Sequence, residues 1–295
     1  MSFYFEKSIV IGSGQFAFNC ARYLYDTFRL DGIFEYGNYA QSRLEVLCRK
    51  NNFKYIKLSE KSECDILMKE IVDSRKRVLI ISASNIYIFP AFITECSSVR
   101  IINYHPALLS KHLGRNTEAW AIYSQDKVAG VTWHEVTSEI DHGEIITERD
   151  IVLDKSITSI KLMIKQYQIG FELFKENIER IAENEINRND SVKCYGKMHY
   201  SYEKPNGGMM DLSWDGSSIS AFLRSMDYGN LNVMGRSFVV EEGIKYSWDS
   251  YRILEKTCVW SGGENNESDR VLKKDNILFI LQNFHKLNDV RENEL

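Results

Sequence analysis

The run SIVIG, apolar and of strand length, turns through Gly12 and Gly14 into a segment where Phe16, Cys20, Leu24 and Phe28 recur at spacings of four. That spacing places the four on one face of a helix. A second strand is expected in LDGIFEYG, and then a helix over SRLEVLCRKNNF with Leu44, Leu47 and Cys48 on its inner face. CDILMKEIVDSRKR reads as another helix, while VLIIS (78–82) and VRIIN (99–103) read as strands apolar on both faces. Strands that alternate with helices and lack a polar face belong to a parallel sheet covered on both sides.

Farther along, the pattern changes. AGVTWHEV (129–136) alternates, with Val131, Trp133 and Glu135 facing one way, and EIITERDIVL behaves similarly. These strands are expected to be less fully buried. A long amphipathic helix follows over SITSIKLMIKQYQIGFELFKENIERIAENE, opened by a cap at Ser156 or Thr158. The chain then becomes polar and turn-rich through ENEINRND and KPNGG. A short helix in DLSWDGSSISAFLRSMDYG and hairpins in SFVVEEGIKYSWDSYRIL come next, and the polar LNDVRENEL reads as a frayed end. The expected fold class is α/β: a Rossmann-like, mostly parallel sheet with helices on both faces, plus a small C-terminal, mainly β domain. The expected boundaries are a catalytic domain over 1–184, a linker over 185–207 and the small domain over 208–295.

Composition narrows the function classes. Hydrophobic residues at 44% and charged residues at 26% of 295 are enough for a real core in each of two domains. The net charge of −4 lacks the basic field from which nucleic-acid binders draw affinity. Cys20, Cys48, Cys64, Cys96, Cys194 and Cys258 are scattered without CxxC spacing, so they read as reduced thiols with no metal site. Neither a signal-peptide core nor an apolar run of membrane-spanning length is present, so a cytoplasmic location is expected.

Two stretches carry candidate chemistry. GSGQFA (12–17), with Glu35 about twenty residues on, outlines a dinucleotide-binding turn. The same small residues also suit any first strand meeting its first helix. The other stretch is IINYHPALLSKHLGRNTEAW (101–120), where an apolar strand ends in Asn103 and His105 before Pro106 stops it. An Asn side chain offers a donor that cannot ionise, suited to an oxygen gaining negative charge. A His exchanges protons near neutral pH. Asp141, in the turn SEIDHGEII, is the candidate third group that orients the imidazole. The competing assignment is ordinary turn chemistry for Asn-x-His-Pro and Asp-His-Gly alike.

The ordered series N-Y-H-P-A-L-L, G-R-N-T-E-A-W-A-I-Y and G-V-T-W-H-E-V-T-S-E-I-D-H-G-E-I-I resembles the folate-dependent formyltransferase family. IVIGSGQFA is similar to that family's first strand and turn, and DLSWDGSSISAFLRSMDYG to the start of its C-terminal domain. The resemblance implies that Asn103, His105 and Asp141 are catalytic and that 10-formyltetrahydrofolate is the donor, with no metal. An amine would attack the formyl carbon, the oxyanion being held by Asn103 and protonated His105, with Asp141 stabilising the imidazolium. A folate pocket is implied at Ser84, Ile86, Tyr87, Ile88, Phe89 and Pro90 and at Glu135, Val136 and Ile140, although Ile86, Ile88 and Phe89 suit a core equally. Acceptor contacts are implied at Gly12, Gly14, Gln15, Phe16, Gly114 and Arg115.

Some positions depart from the family pattern. Ser110 stands where proline is usual, and Asn116-Thr117-Glu118 replaces the familiar residues after Gly-Arg. His134 is assigned no role, and His112 is expected as an exposed loop histidine before a residue lining the cleft. The acceptor implied is a small amine, a nucleotide-linked amino sugar before an amino-acid-derived or carrier-bound amine. Methionyl-tRNA is the alternative, against which the net charge and the short, acidic-ended C-terminal region weigh. A non-catalytic folate or partner binder would have no need of the trio. Exposed hairpins such as SFVVEEGIKYSW point to a homodimer.

Overall fold

The computed structural model describes residues 4–38, 42–185, 195–255 and 268–287. Cys194, Cys258 and the terminal segment from 288 lie outside the described residues. The chain divides into two compact units, one built from Met1–Arg115, Ala129–Ile151 and Ile164–His199, the other from Asn116–Val128, Val152–Met163 and Tyr200–Leu295.

In the first unit, β1 (Lys7–Gly12), α1 (Gly14–Thr27), β2 (Gly32–Tyr36), α2 (Arg43–Lys50), β3 (Tyr55–Leu58), α3 (Lys61–Asp73) and β4 (Val78–Ala83) alternate as the pattern predicts. A single-turn helix α4 (Ala91–Thr94) leads into β5 (Val99–His105), and a short strand β6 (His112–Gly114) follows. The element after β6 is α5 (Thr117–Tyr123), which falls in the second unit; β7 (Val128–Glu135) and β8 (Ile145–Val152) then return to the sheet. Strand order is β3-β2-β1-β4-β5-β7-β8, parallel from β3 to β5, with β7 antiparallel to β5. This is the doubly wound arrangement, in which ligands gather beyond the carboxyl ends of the strands near the point where the order reverses. α6 (Ser159–Ala182) packs its Gly170 region against Tyr104 and Trp133, and the Trp133 indole N–H donates to the Gly170 carbonyl at 2.8 Å. β9 (Lys197–His199), inside the stretch expected as a linker, pairs in parallel with β6.

Three expectations about these elements are corrected. β7 is buried from Ala129 to His134 rather than on one face alone, because Thr132 and His134 also have partners indoors. α1 ends at Thr27, so Phe28 stands past the helix, while Phe16, Cys20 and Leu24 are buried together with Ala17, Phe18 and Ala21. Neither proposed hydroxyl caps α6. Ser156 bonds Asp154 instead, and the Thr158 hydroxyl has no hydrogen-bond partner among the described residues although its carbonyl accepts from Leu162.

The glycine turn serves packing. A Cβ on Gly12 would lie 1.8 Å from the Ala83 carbonyl oxygen, so β1 and β4 approach as closely as they do only with glycine there. Glu35, the acid of the dinucleotide pattern, is turned inward: its carboxylate accepts from the Ser42 hydroxyl and, at 2.7 Å, from the Tyr55 hydroxyl.

In the second unit, α7 (Gly216–Ser225) packs with α5, and Met210, Ile219, Phe222, Val239, Phe279 and Leu281 form the core. β10 (Val239–Glu241) and β11 (Ile244–Ser247) make the expected hairpin. β12 (Ser250–Glu255) does not continue it but pairs with β14 (Ile277–Gln282), beside β13 (Arg270–Lys274), while β11 takes β15 (His285–Lys286). Among the described residues no helix is long and apolar enough to cross a membrane. Cys20, Cys48, Cys64 and Cys96 are free thiols.

Candidate active site

Residues two apart on a strand share a face, so Asn103 and His105 at the end of β5 point the same way. The antiparallel register sets Asn103 opposite His134 and His105 opposite Thr132. His134 therefore joins the site, a residue the sequence reading left without a role. Asp141 arrives from the loop after β7 with φ of 57°, a left-handed conformation that Asp tolerates better than most residues.

These groups form a connected chain. The Ser82 hydroxyl donates to Asn103 Oδ1 at 2.7 Å, and Asn103 Nδ2 lies 3.1 Å from His134 Nε2. His134 Nδ1 sits 2.7 Å from the Glu135 carbonyl, which can only accept. In the neutral ring Nδ1 thus carries the proton and Nε2 accepts from the Asn103 amide. That orientation leaves the second Asn103 N–H available to an incoming oxygen. His105 is held at both nitrogens, Nε2 at 2.8 Å from the His112 carbonyl and Nδ1 at 3.4 Å from Asp141 Oδ2. The Gly114 N–H donates to Asp141 Oδ2 at 2.8 Å, and Asp141 Oδ1 lies 3.6 Å from His134 Nε2.

Electrostatics sort the two ionisable partners. Burial alone would raise the Asp141 carboxyl, but the His105 and His134 rings and the Gly114 N–H outweigh it and hold the group well below the usual carboxylate range. Burial pushes the His105 imidazole down, against the opposing pull of Asp141 and the His112 carbonyl. At neutral pH the pair is an ionised Asp141 beside a neutral His105 protonated on Nε2. Nδ1 is then the basic nitrogen. A proton taken there turns a lone pair facing a carboxylate into an ion pair. A non-ionising donor beside a buried base suits transfer of an acyl-type group to a nucleophile.

The other sequence-derived positions divide. Ser84 adopts a left-handed φ of 55° and its carbonyl accepts from Ser13 Oγ at 2.9 Å. Asn85 bonds the Ser82 hydroxyl at 3.3 Å, tying this loop to Asn103. Ile86, Ile88 and Ile140 expose their side chains, whereas Tyr87 and Phe89 are buried and Pro90 leads into α4. Glu135 is paired with Arg100, and Val136 packs against the sheet core. Gly14 has open space around it, and Gln15 bonds Asn19 at 2.8 Å and Arg43 at 3.2 Å. Phe16 lies in an aromatic cluster with Tyr104, Trp133 and Tyr167 and presents no free face. Gly114 holds Asp141 through its backbone, and the Arg115 side chain is exposed. His112 is buried in β6 with Nδ1 3.0 Å from His199 Nε2, not in an exposed loop.

Residues 39–177 match the family model described as formyl transferase. The matched segment contains Asn103, His105, His134 and Asp141. The chain is 24% identical over 148 residues to a GDP-perosamine N-formyltransferase of Brucella melitensis biotype 1, covering 50% of this chain and 56% of that protein. It is 31% identical over 163 residues to a methionyl-tRNA formyltransferase of Clostridioides difficile, covering 54% of this chain and 52% of that one. The chain spans about half the length, or less, of several of the curated relatives it matches. Among solved structures, an N-formyltransferase from Helicobacter canadensis, in complex with folinic acid and dTDP-3-aminofucose, shares the fold with a TM-score of 0.73 at 18% identity, covering 95% of this chain and 99% of that one.

Proposed function

We propose that this protein moves a formyl group from 10-formyltetrahydrofolate to the primary amine of a nucleotide-linked amino sugar in the cytoplasm. The observation that carries the reading is the Asn103–His134–Asp141–His105 chain, which leaves one amide N–H for a reacting carbonyl and sets a basic nitrogen beside the carboxylate that would stabilise its protonated form. The acceptor class is supported by the Helicobacter neighbour, which spans nearly all of this chain and is described with an amino-sugar nucleotide, and by the GDP-perosamine relative.

In this reading the amine lone pair attacks the formyl carbon, and the carbonyl oxygen, now an oxyanion, accepts from the free Asn103 N–H. His105 Nδ1 takes the amine proton, directly or through water, and Asp141 stabilises the resulting imidazolium. Collapse breaks the bond between the formyl carbon and the folate nitrogen, and His105 returns the proton to that leaving nitrogen. Tetrahydrofolate and an N-formyl sugar result. Ser84 to Pro90 and Glu135 to Ile140 would receive the pterin.

The test is one assay of donor and acceptor together. The protein is given 10-formyltetrahydrofolate with nucleotide-linked amino sugars, hydroxyornithine and methionyl-tRNA in separate reactions. Tetrahydrofolate release with a mass gain of one formyl group on a sugar nucleotide is the expected result. The same gain on methionyl-tRNA or on hydroxyornithine would overturn the acceptor assignment, and no folate binding would overturn the donor.

A further inference from the structure

Outside the reacting groups, one short segment touches both loops that hold them. The Gly196 N–H donates to the Leu109 carbonyl at 2.8 Å, and Lys197 N–H to the Lys111 carbonyl at 3.0 Å. The His199 carbonyl accepts from Arg115 N–H at 2.9 Å, and His199 Nε2 lies 3.0 Å from His112 Nδ1. A Cβ on Gly196 would stand 2.0 Å from the Lys111 carbonyl carbon, so the two backbones are in direct contact. This stretch of the 109–115 loop presents the His112 carbonyl to His105 and the Gly114 N–H to Asp141. At its other end the segment reaches the second loop: the Tyr195 hydroxyl donates to the His142 carbonyl at 2.9 Å, with the two rings 4.2 Å apart. His142 directly follows Asp141.

We propose that Tyr195–His199 is a strap that positions the His105–Asp141 pair, with His199 and Tyr195 as its positioning residues. His199 fixes where the His112 carbonyl and Gly114 N–H lie, and Tyr195 fixes the turn that carries Asp141. Neither touches the reacting atoms. What step the strap serves rests on the formyl-transfer reading; that it sets the geometry of the pair does not. His105 Nε2 keeps its proton because the His112 carbonyl is there to accept it, so a displaced β6 frees the ring to exchange tautomers.

Three variants test this. His199→Ala removes the bond to His112, His199→Gln keeps an amide nitrogen where Nε2 was, and Tyr195→Phe keeps the ring on His142 while losing the hydroxyl. A misplacement near 1 Å costs on the order of 10²-fold, so His199→Ala and Tyr195→Phe should lower kcat by about tenfold with the donor KM within about twofold. His199→Gln should recover most of the loss. In parallel, ¹⁵N spectra of His105 without folate or acceptor should show the Nε2–H tautomer in the wild type and a mixture in His199→Ala. Unchanged His105 spectra in His199→Ala and Tyr195→Phe would overturn the proposal, as would a His199→Gln variant no better than alanine. Should no acceptor be formylated at all, the spectra still decide the strap while the function assay fails separately. Should His199→Ala not fold, Tyr195→Phe carries the test alone.

Discussion

The proposed roles of Asn103 and His105 rest on different physics, so the removal of each should be told apart. In the proposed reaction Asn103 would supply a fixed dipole, a type of donor worth about 10²–10³ in rate, and His105 proton transfer, worth about 10²–10⁴. Asn103→Ala and His105→Ala should therefore each lower kcat by at least about 10² while folate affinity stays within a few-fold, measured by steady-state kinetics and folate titration. Wild-type turnover in either would remove that residue from the chemistry. The pH profile carries a second expectation. Burial lowers the His105 imidazole, so the neutral base survives below the usual histidine range near 6.5, and the acid limb of kcat/KM should fall below that pH. A midpoint above 6.5 would mean that the Asp141 charge outweighs burial. The same shift bears on stability: the unfolded chain binds the His105 proton more readily, so stability is lost as pH falls through about 6.5 and below. Asn103, His105 and Asp141 stand out in the sequence because polar groups at a buried strand end are conspicuous. His134 was half-legible, since alternation sets it opposite Trp133 in facing, but only the register with β5 brings it to Asn103.

The elements were legible where local pattern alone decides them. β4 and β5 announce themselves because both faces are covered, and α1 because its buried positions recur every four residues. β7 misled because Thr132 and His134 look like a solvent face yet bond inward, Thr132 to the Ala107 carbonyl at 2.7 Å. β6 and β9 could not be read at all, since three-residue strands paired across a long stretch of chain leave no local periodicity. His112 was misplaced for that reason. The glycine turn offers a direct test at this scale. Gly12→Ala should force β1 and β4 apart and lower stability by about 1–3 kcal/mol or more, seen as a lower urea midpoint. A variant of unchanged stability that lost only ligand binding would instead return Gly12 to a nucleotide site.

At the scale of the whole molecule, a linear division of the chain misses how the second unit is made. It draws on Asn116–Val128 and Val152–Met163 as well as on Tyr200–Leu295, so its core is not encoded in the C-terminal third alone. Tyr123, from α5, packs with the cluster around Phe222 and Trp214, and Ala119 and Met163 join Tyr228 and Met234. The buried Glu118 carboxylate accepts from the Tyr228 hydroxyl at 2.9 Å. Cutting the chain before Asn206 therefore does more than remove a possible acceptor domain. It uncovers one face of α5 and takes one hydrogen-bond donor from a buried acid, a loss of about 1–3 kcal/mol. The truncated chain should bind a hydrophobic dye and lose its sharp unfolding transition. Phe222→Ala asks the same question more gently, because that ring is fully buried and its truncation should cost about 3–5 kcal/mol, a large part of the roughly 5–15 kcal/mol that holds a typical domain together. If the truncated chain instead unfolds cooperatively and binds folate as the full chain does, the inserted segments contribute nothing to folding, and acceptor kinetics of that truncation then report the role of residues 206–295 directly. If it collapses, only point variants within the second unit can separate acceptor recognition from folding.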